Sequence, residues 1–218
     1  MSEEQLRPDP DTSPAATSLT TGAAKAALRR QLIAARASRA ARSGTAAGLG
    51  EGAEEQLAAV VRGCPEVAAA GTVACYVAIG DEPATRRLLD LLRYDAKQVL
   101  LPVLLPDDDL DWAPYTGAAD LAAGRMRLPE PTAPRCGPEA ITRADVVLVP
   151  GLAVSGDGIR LGRGGGSYDR ALARLVGRRP APFVAVLLEP EEVGVAVPVE
   201  SHDRRVDAAI TVAGVHRF

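Results

Sequence analysis

Apolar positions along the chain repeat with two periods, one typical of amphipathic helices and one of buried strands. Leu28, Leu32 and Ile33 give residues 23–42 a helical spacing. Similar spacing predicts helices over GAEEQLAAVVR, DEPATRRLLDLLR and SYDRALARLV, and apolar runs predict strands over GTVACYVAIG, QVLLPVLLP, ADVVLVP, APFVAVLLE and DAAITVAG. Alternating helices and fully buried strands predict an α/β fold: an open, mainly parallel sheet flanked by helices, in a Rossmann-like three-layer sandwich.

Turn residues and prolines set the expected boundaries of these segments. Asp81 and Glu82 precede Pro83, which suits the first turn of a helix, so this helix is expected to begin there. The acidic segment DDDLDWAPYTG predicts a turn into a short edge strand. Residues 121–138 are proline-rich and have no clear period, which predicts a long irregular connection of the kind that is often functional.

The N-terminal segment differs in composition from the rest of the chain. Residues 1–22 contain acidic residues and prolines but no apolar core, which predicts a disordered tail and does not fit a secretory signal. The remainder has no internal repeat and no segment typical of a linker. Residues 23–218 are therefore expected to form a single domain.

Composition narrows the class of protein. Hydrophobic residues make up 47% and charged residues 24%, as in ordinary globular proteins. The net charge of −3 and the 3% aromatic content do not favour nucleic acid or a membrane surface as a partner. Two histidines and three cysteines, Cys64, Cys75 and Cys136, without CxxC spacing argue against a zinc site or a disulfide framework. A cytoplasmic monomer or weak homodimer is the expectation.

The segment RLGRGGGSYDRAL carries the strongest chemical pattern, because a glycine-rich loop there joins a strand to a helix. Glycine allows positive φ and lets backbone amides approach a ligand, and amides at the start of a helix attract anions. Arg160 and Arg163 add guanidinium groups suited to phosphate. Asp169 could hold Mg²⁺ beside those phosphates.

Two established nucleotide-binding patterns do not fit this loop. The Walker A pattern GxxxxGK[ST] is absent from the chain. The dinucleotide pattern GxGxxG fails because Ser167 stands at the third glycine. From its composition alone the loop is equally compatible with a tight structural connection.

The longer segment VPGLAVSGDGIRLGRGGGSYDRAL closely resembles the signature of the 5-formyltetrahydrofolate cyclo-ligase family, also called methenyltetrahydrofolate synthetases. That signature is a PGLAF-like segment followed by DGxRLGxGxGYYDR. Four further segments resemble the family in the expected order: KAALRRQL, YVAIGDEPAT, RLPEP and VPVESHDRRVDAAIT. Together they cover residues 25–211.

The resemblance implies a cyclo-ligase that converts 5-formyltetrahydrofolate to 5,10-methenyltetrahydrofolate while ATP is hydrolysed, with ATP and reduced folate as ligands and Mg²⁺ as cofactor. It implies ATP binding by Lys25, Arg29, Arg160, Leu161, Gly162, Arg163, Gly164, Gly165, Gly166, Ser167 and Tyr168. It implies folate binding by Val77, Glu82, Arg163, Gly164, Gly165, Gly166 and Ser167. Arg163 is the implied catalytic residue, and Asp169 and Asp203 are the implied Mg²⁺ ligands.

Three positions depart from the family pattern, namely Ser167 where tyrosine is usual, Gly165 where some members have lysine, and Val154 where phenylalanine is common. Two other functions stay open: another ATP- or sugar-phosphate-using α/β enzyme with the same loop, or, as Ser167 suggests, a folate- or nucleotide-binding protein without turnover. Several implied residues also have ordinary structural explanations. Lys25 and Arg29 suit a solvated helix face, Glu82 a helix start, Asp203 a loop salt bridge, Tyr168 a core aromatic and Asp169 the helix dipole.

Overall fold

Short apolar runs pair into one seven-stranded sheet in the computed structural model, which describes residues 14–43, 52–201 and 203–218. The strands are β1 (Thr72–Ala74), β2 (Gln98–Leu104), β3 (Leu110–Pro114), β4 (Leu121–Ala123), β5 (Pro129–Pro131), β6 (Val146–Pro150), β7 (Ala153–Val154), β8 (Arg160–Leu161), β9 (Phe183–Leu187), β10 (Ala208–Thr211) and β11 (Gly214–Arg217). The sheet has the order β11-β10-β9-β6-β1-β2-β3, while β4-β5 and β7-β8 form separate hairpins. Strands from β10 to β2 run parallel, and the edge strands β3 and β11 are antiparallel to their neighbours.

Helices cover both faces of this sheet. The α-helices are α1 (Pro14–Ser43), α2 (Ala53–Gly63), α3 (Pro65–Ala69), α4 (Arg86–Tyr94) and α5 (Ser167–Ala173). Strand β6 shows the layering residue by residue: Val146 and Leu148 belong to the core that contains α2 and α4, while Val147 and Val149 belong to the core that contains α5. Since successive side chains of a strand point to opposite faces, this central strand is buried on both sides. The predicted mainly parallel three-layer fold is confirmed.

Two predicted helix starts differ from the structure. Helix α1 begins at Pro14, where proline suits a first turn, and it therefore includes residues 14–22 of the predicted tail. Residues 1–13 of that predicted tail lie outside the described residues. Helix α4 begins at Arg86 and not at Asp81 or Glu82. In the preceding residues, side-chain hydrogen bonds to the backbone take the place of helical ones. The Thr85 hydroxyl donates to the Tyr76 carbonyl and accepts from the Ala78 N–H, which holds these residues in a turn.

Helix α1 is anchored by buried ionic contacts. Arg36 donates from Nε and Nη2 to the two carboxylate oxygens of Glu192 at 2.7 and 2.6 Å, and from Nη2 to the Gly151 carbonyl at 2.7 Å. Arg39 also donates to Glu192. One turn of α1 therefore holds a carboxylate of the 3₁₀ helix Pro190–Glu192. Within the described ranges, no helix combines the length and apolar character needed to cross a bilayer.

Next to this contact, Glu189 is a buried carboxylate with an unusual proton affinity. It exchanges hydrogen bonds with Glu192 in a capping box, but its Oε1 has no partner among the described residues. Burial, followed by the charge of Glu192, raises the pKa of Glu189 to about 7, although Arg39 and Arg36 oppose this.

We expect the Glu189→Gln variant to be more stable than the parent protein above pH 7. An acid whose pKa is raised on folding binds more protons in the folded state, so its ionisation destabilises the fold as the pH rises from about 4.5 to about 7. Glutamine removes this titration, and the expected gain is about 2–3 kcal/mol at pH 8. Urea unfolding of both proteins from pH 5 to pH 8 measures the difference, and a gain that is the same at every pH would contradict the assignment.

Candidate active site

A cavity of about 290 Å³ opens where three parallel strands end. Tyr76 and Val77 follow β1, Leu104 ends β2, and Pro150 and Gly151 lie at the end of β6. Ligands in open α/β sheets bind beyond the carboxyl ends of the strands. The cavity therefore occupies the position at which this fold binds its ligands.

The glycine-rich loop forms one wall of the cavity, from Gly162 to Gly166. Gly164 and Gly166 have φ of +105° and +72°, a backbone conformation that favours glycine. A Cβ on Gly162 would lie 2.6 Å from Arg160 Nη1, so a larger residue there would have to displace that guanidinium from its contacts. The loop thus brings a stretch of backbone with few side chains to the cavity.

Arg160 and Arg163 lie at this wall in different environments. Arg160 is buried, contacts Asp169 Oδ1 through Nη2 at 2.6 Å, and donates to the Pro150 carbonyl. The Arg163 side chain is 43% exposed, and its guanidinium contacts Asp81 at 2.8 Å and Glu82 at 3.3 Å. Arg160 is thus fixed in the wall, whereas Arg163 presents a charge that a ligand can reach.

Glu82 is a buried carboxylate on the floor of the cavity. Its Oε2 accepts a hydrogen bond from the Ile79 N–H at 3.1 Å, and its Oε1 accepts one from Arg163 Nε at 3.3 Å. Burial raises the pKa of Glu82, while the Ile79 amide and the charge of Arg163 act in the opposite direction. The turn that replaced the predicted helix start is what directs this carboxylate into the cavity.

Two further predicted cations lie on α1, outside the cavity lining. Arg29 Nε donates to the Gly162 carbonyl at 2.9 Å, and its guanidinium lies against Gly164. Lys25 is buried and its Nζ lies 2.7 Å from Glu200 Oε2 and 2.6 Å from Asp203 Oδ2. Helix α1 thus contacts the glycine loop through Arg29, which does not itself line the cavity.

The two carboxylates predicted to bind Mg²⁺ each form an ion pair with a basic side chain. Asp203 pairs with Lys25, which fits the salt-bridge explanation, and Asp169 pairs with Arg160 through one oxygen. The Asp169 side chain is 33% exposed and lines the cavity. Among the described residues no group of three side chains could hold a metal by itself. Since Mg²⁺ commonly takes one or two carboxylates plus phosphate oxygens, Asp169 fits such a site only together with a bound nucleotide.

Most of the predicted site residues meet at the cavity: Val77, Glu82, Arg160, Gly162, Arg163, Gly164, Gly165, Gly166, Ser167, Tyr168 and Asp169. Lys25, Arg29, Leu161 and Asp203 do not line it, and the Leu161 side chain lies in a core cluster. Sequence reasoning missed the opposite wall, formed by Pro102, Leu104, Leu110, Met126, Leu128, Pro129 and Glu130. These residues come from β2, β3 and the β4-β5 hairpin, and the apolar run QVLLPVLLP together with RLPEP was the only signal for them.

Comparison with known proteins gives a consistent result. The model of the 5-formyltetrahydrofolate cyclo-ligase family matches residues 21–212. A 5-formyltetrahydrofolate cyclo-ligase of Mycolicibacterium smegmatis is 39% identical over 145 residues, which are 64% of this chain and 73% of the relative. That of Escherichia coli K12 is 34% identical over 120 residues, 54% of this chain and 66% of the relative.

Two solved structures are similar as well. The 5,10-methenyltetrahydrofolate synthetase of Aquifex aeolicus superposes with a TM-score of 0.70 at 25% identity, covering 88% of this chain and 92% of the other. The enzyme of Mycoplasma pneumoniae has a TM-score of 0.61 at 19% identity, covers 86% and 98%, and supports the fold alone. With the matched family model spanning almost all of the folded chain, this protein belongs to the 5-formyltetrahydrofolate cyclo-ligase family.

Proposed function

We propose that the protein converts 5-formyltetrahydrofolate to 5,10-methenyltetrahydrofolate, with ATP hydrolysed to ADP and phosphate. The observation that carries this proposal is the cavity with two unlike walls. One wall is the glycine loop with Arg163, suited to phosphate, and the other is mainly apolar, with Glu130 as its one charged residue, and suits the flat ring system of a folate. The family membership supports the same reaction.

The reaction requires a poor leaving group to be activated. The γ-phosphoryl group passes from ATP to the formyl oxygen, and the O–P bond that forms replaces the bond to ADP. N10 then attacks the formyl carbon and gives up its proton, and phosphate departs with the former formyl oxygen. Phosphoryl transfer of this kind depends mainly on positioning and charge neutralisation, which backbone amides and arginines supply.

We assign the side chains by their position at the cavity. Arg163 reaches the transferred phosphoryl group, because it is the exposed guanidinium among the residues that line the cavity. Glu82 and Val77 contact the folate from the floor, and Arg29 keeps the loop in place through the Gly162 carbonyl. Lys25 is assigned to the nucleotide phosphates only if ligand binding displaces it from Asp203 and Glu200.

When bound, Mg²⁺ would neutralise phosphate charge, and we assign Asp169 to hold it because its partly exposed carboxylate lines the cavity. We expect Asp169→Asn to raise the Mg²⁺ concentration needed for half-maximal activity about tenfold, with activity restored at saturating Mg²⁺. Mg²⁺ titration at fixed ATP measures this. Asp157→Asn is the matched control, since Asp157 is exposed and pairs with Arg205 away from the cavity. A loss of activity that no Mg²⁺ concentration restores would instead assign Asp169 to positioning Arg160.

Absorbance of the methenyl product tests the proposal directly. Purified protein with 5-formyltetrahydrofolate and Mg-ATP should produce it, and omission of ATP should abolish it. Ser167, which replaces the usual aromatic residue at the cavity, favours one alternative, a binding protein without turnover. Tight folate binding without product would support that alternative, and no folate binding would support a different ATP-using enzyme.

We propose that the protein acts in the cytoplasm as a monomer or weak homodimer. The thiols of Cys64, Cys75 and Cys136 are all unpaired, which suits a reducing compartment. Sedimentation velocity across micromolar concentrations tests the assembly state, and a dimer that persists at the lowest concentration would contradict it.

A further inference from the structure

A tyrosine that lines the cavity carries a buried hydroxyl group that the fold does not use. Tyr76 follows β1, lines the cavity, and is 3% exposed. Its hydroxyl is buried and has no hydrogen-bond partner among the described residues. Buried hydroxyl groups in native proteins nearly always have a partner, so this one requires an explanation.

Packing does not explain the hydroxyl. The ring of Tyr76 belongs to the same apolar core cluster as Leu88 and Leu148, where a phenylalanine ring would fill the same space. A phenylalanine would also avoid the free energy lost by burying an unpaired O–H. The buried Tyr115 is a useful contrast, because its hydroxyl donates to Asp90 Oδ1 at 2.7 Å.

The surroundings of the hydroxyl suit a polar ligand edge. Glu82 and Tyr168 line the same cavity, and the charge of Glu82 acts on both tyrosines. Burial, then the charge of Glu82, raises the pKa of Tyr76 well above its ordinary value, so the hydroxyl keeps its proton and can donate. On the opposite wall, Leu104 and Leu128 offer apolar surface to a ligand, and the Glu130 carboxylate there already accepts the Leu104 N–H. A bound ring would therefore turn its hydrogen-bonding edge toward Tyr76 and Glu82.

We propose that the Tyr76 hydroxyl hydrogen-bonds to the polar edge of the pterin ring of the reduced folate and is a specificity-determining residue of the enzyme. This inference rests on the proposed function. A site built to hydrogen-bond a substrate group loses affinity when that bond is removed, whereas the free protein gains from losing an unpaired O–H. The two effects have opposite signs and can be measured separately.

We expect Tyr76→Phe to raise KM for 5-formyltetrahydrofolate about tenfold, to leave KM for ATP unchanged, and to keep or raise the melting temperature. The matched control is Tyr115→Phe, which removes a hydroxyl already paired within the protein. That variant should lower the melting temperature and leave both KM values unchanged. The opposite behaviour of two buried tyrosines distinguishes a ligand contact from a structural one.

Unchanged KM for the folate in an active Tyr76→Phe variant overturns the inference and leaves the proposed function intact. If the parent protein forms no methenyl product, the proposed function fails, and calorimetric binding of 5-formyltetrahydrofolate to both proteins then decides. About tenfold weaker binding by Tyr76→Phe supports the contact. Equal binding, or none by the parent protein, overturns it.

Discussion

Replacing Arg163 with alanine is expected to lower kcat about 100- to 1000-fold. The guanidinium lies at the glycine loop and is accessible, which suits the role proposed for it, the neutralisation of the phosphoryl group as it transfers. Removal of one group that stabilises developing negative charge costs about 3–4 kcal/mol of transition-state stabilisation in comparable enzymes. Steady-state assays of methenyl formation with both substrates varied measure the change.

Two variants give this result its meaning. Arg163→Lys keeps a positive charge but loses the planar fork, so it should recover part of kcat. Arg178→Ala, whose guanidinium donates to the Pro180 carbonyl away from the cavity, should match the parent protein. Unchanged kinetics in Arg163→Ala would place this guanidinium in solvent and remove it from the reaction.

Arg36→Ala should lower the free energy of unfolding by about 3–5 kcal/mol, because it leaves the buried Glu192 carboxylate with one fewer partner. The Gly151 carbonyl at the cavity would lose its donor as well. Such a loss is large beside the roughly 5–15 kcal/mol that stabilises a typical domain. Denaturant unfolding at pH 7 measures it.

The double variant Arg36→Met with Glu192→Met tests the cause of that loss. It removes both buried charges and should recover much of the stability. Arg62→Ala breaks an ion pair with Asp95 at the surface, where solvent screens both charges, and should cost far less stability than Arg36→Ala. Equal losses from Arg36→Ala and Arg62→Ala would show that burial of the Arg36 pair has no energetic consequence.

The architecture was predictable because the central strands are apolar on both faces. The run ADVVLVP contains β6 and APFVAVLLE contains β9, and both lie in the middle of the parallel sheet. Strands of this kind carry their own signal, since burial on both sides requires continuous apolar residues. The layer structure followed from these runs and from the leucine stripe of α4.

The strands that the sequence analysis missed are those without a recognisable pattern of apolar positions. Residues 121–138 were expected to be irregular, yet β4 and β5 pair within them, with Ala122 opposite Glu130. Prolines at both ends of β5 hid this pairing, because proline is uncommon inside strands. The last predicted strand, DAAITVAG, instead ends at Thr211, and β11 follows from Gly214 as an exposed edge strand.

The candidate site was predictable where its residues are contiguous. The glycine loop was identifiable from its composition. The resemblance to the family indicated Glu82 and the two α1 cations, Lys25 and Arg29. Lys25 and Asp203 form an ion pair although they are 178 positions apart in the sequence. Local sequence patterns cannot predict such a contact. Tyr76 was included in the strand predicted over GTVACYVAIG and was not recognised as a site residue. A run of apolar residues does not reveal which hydroxyl lacks a hydrogen-bond partner.

The anchoring of α1 has a consequence for how the protein is made. The partners named above for this helix, from Gly151 to Asp203, are synthesised long after it. The segment that forms α1 therefore emerges from the ribosome before the residues against which it packs, and their contacts cannot stabilise it until they have been made. Its alanine- and arginine-rich composition favours a helix without those contacts. The contact of Arg29 with the glycine loop can form only after Gly162 has been synthesised, so this wall of the cavity cannot be complete before that point.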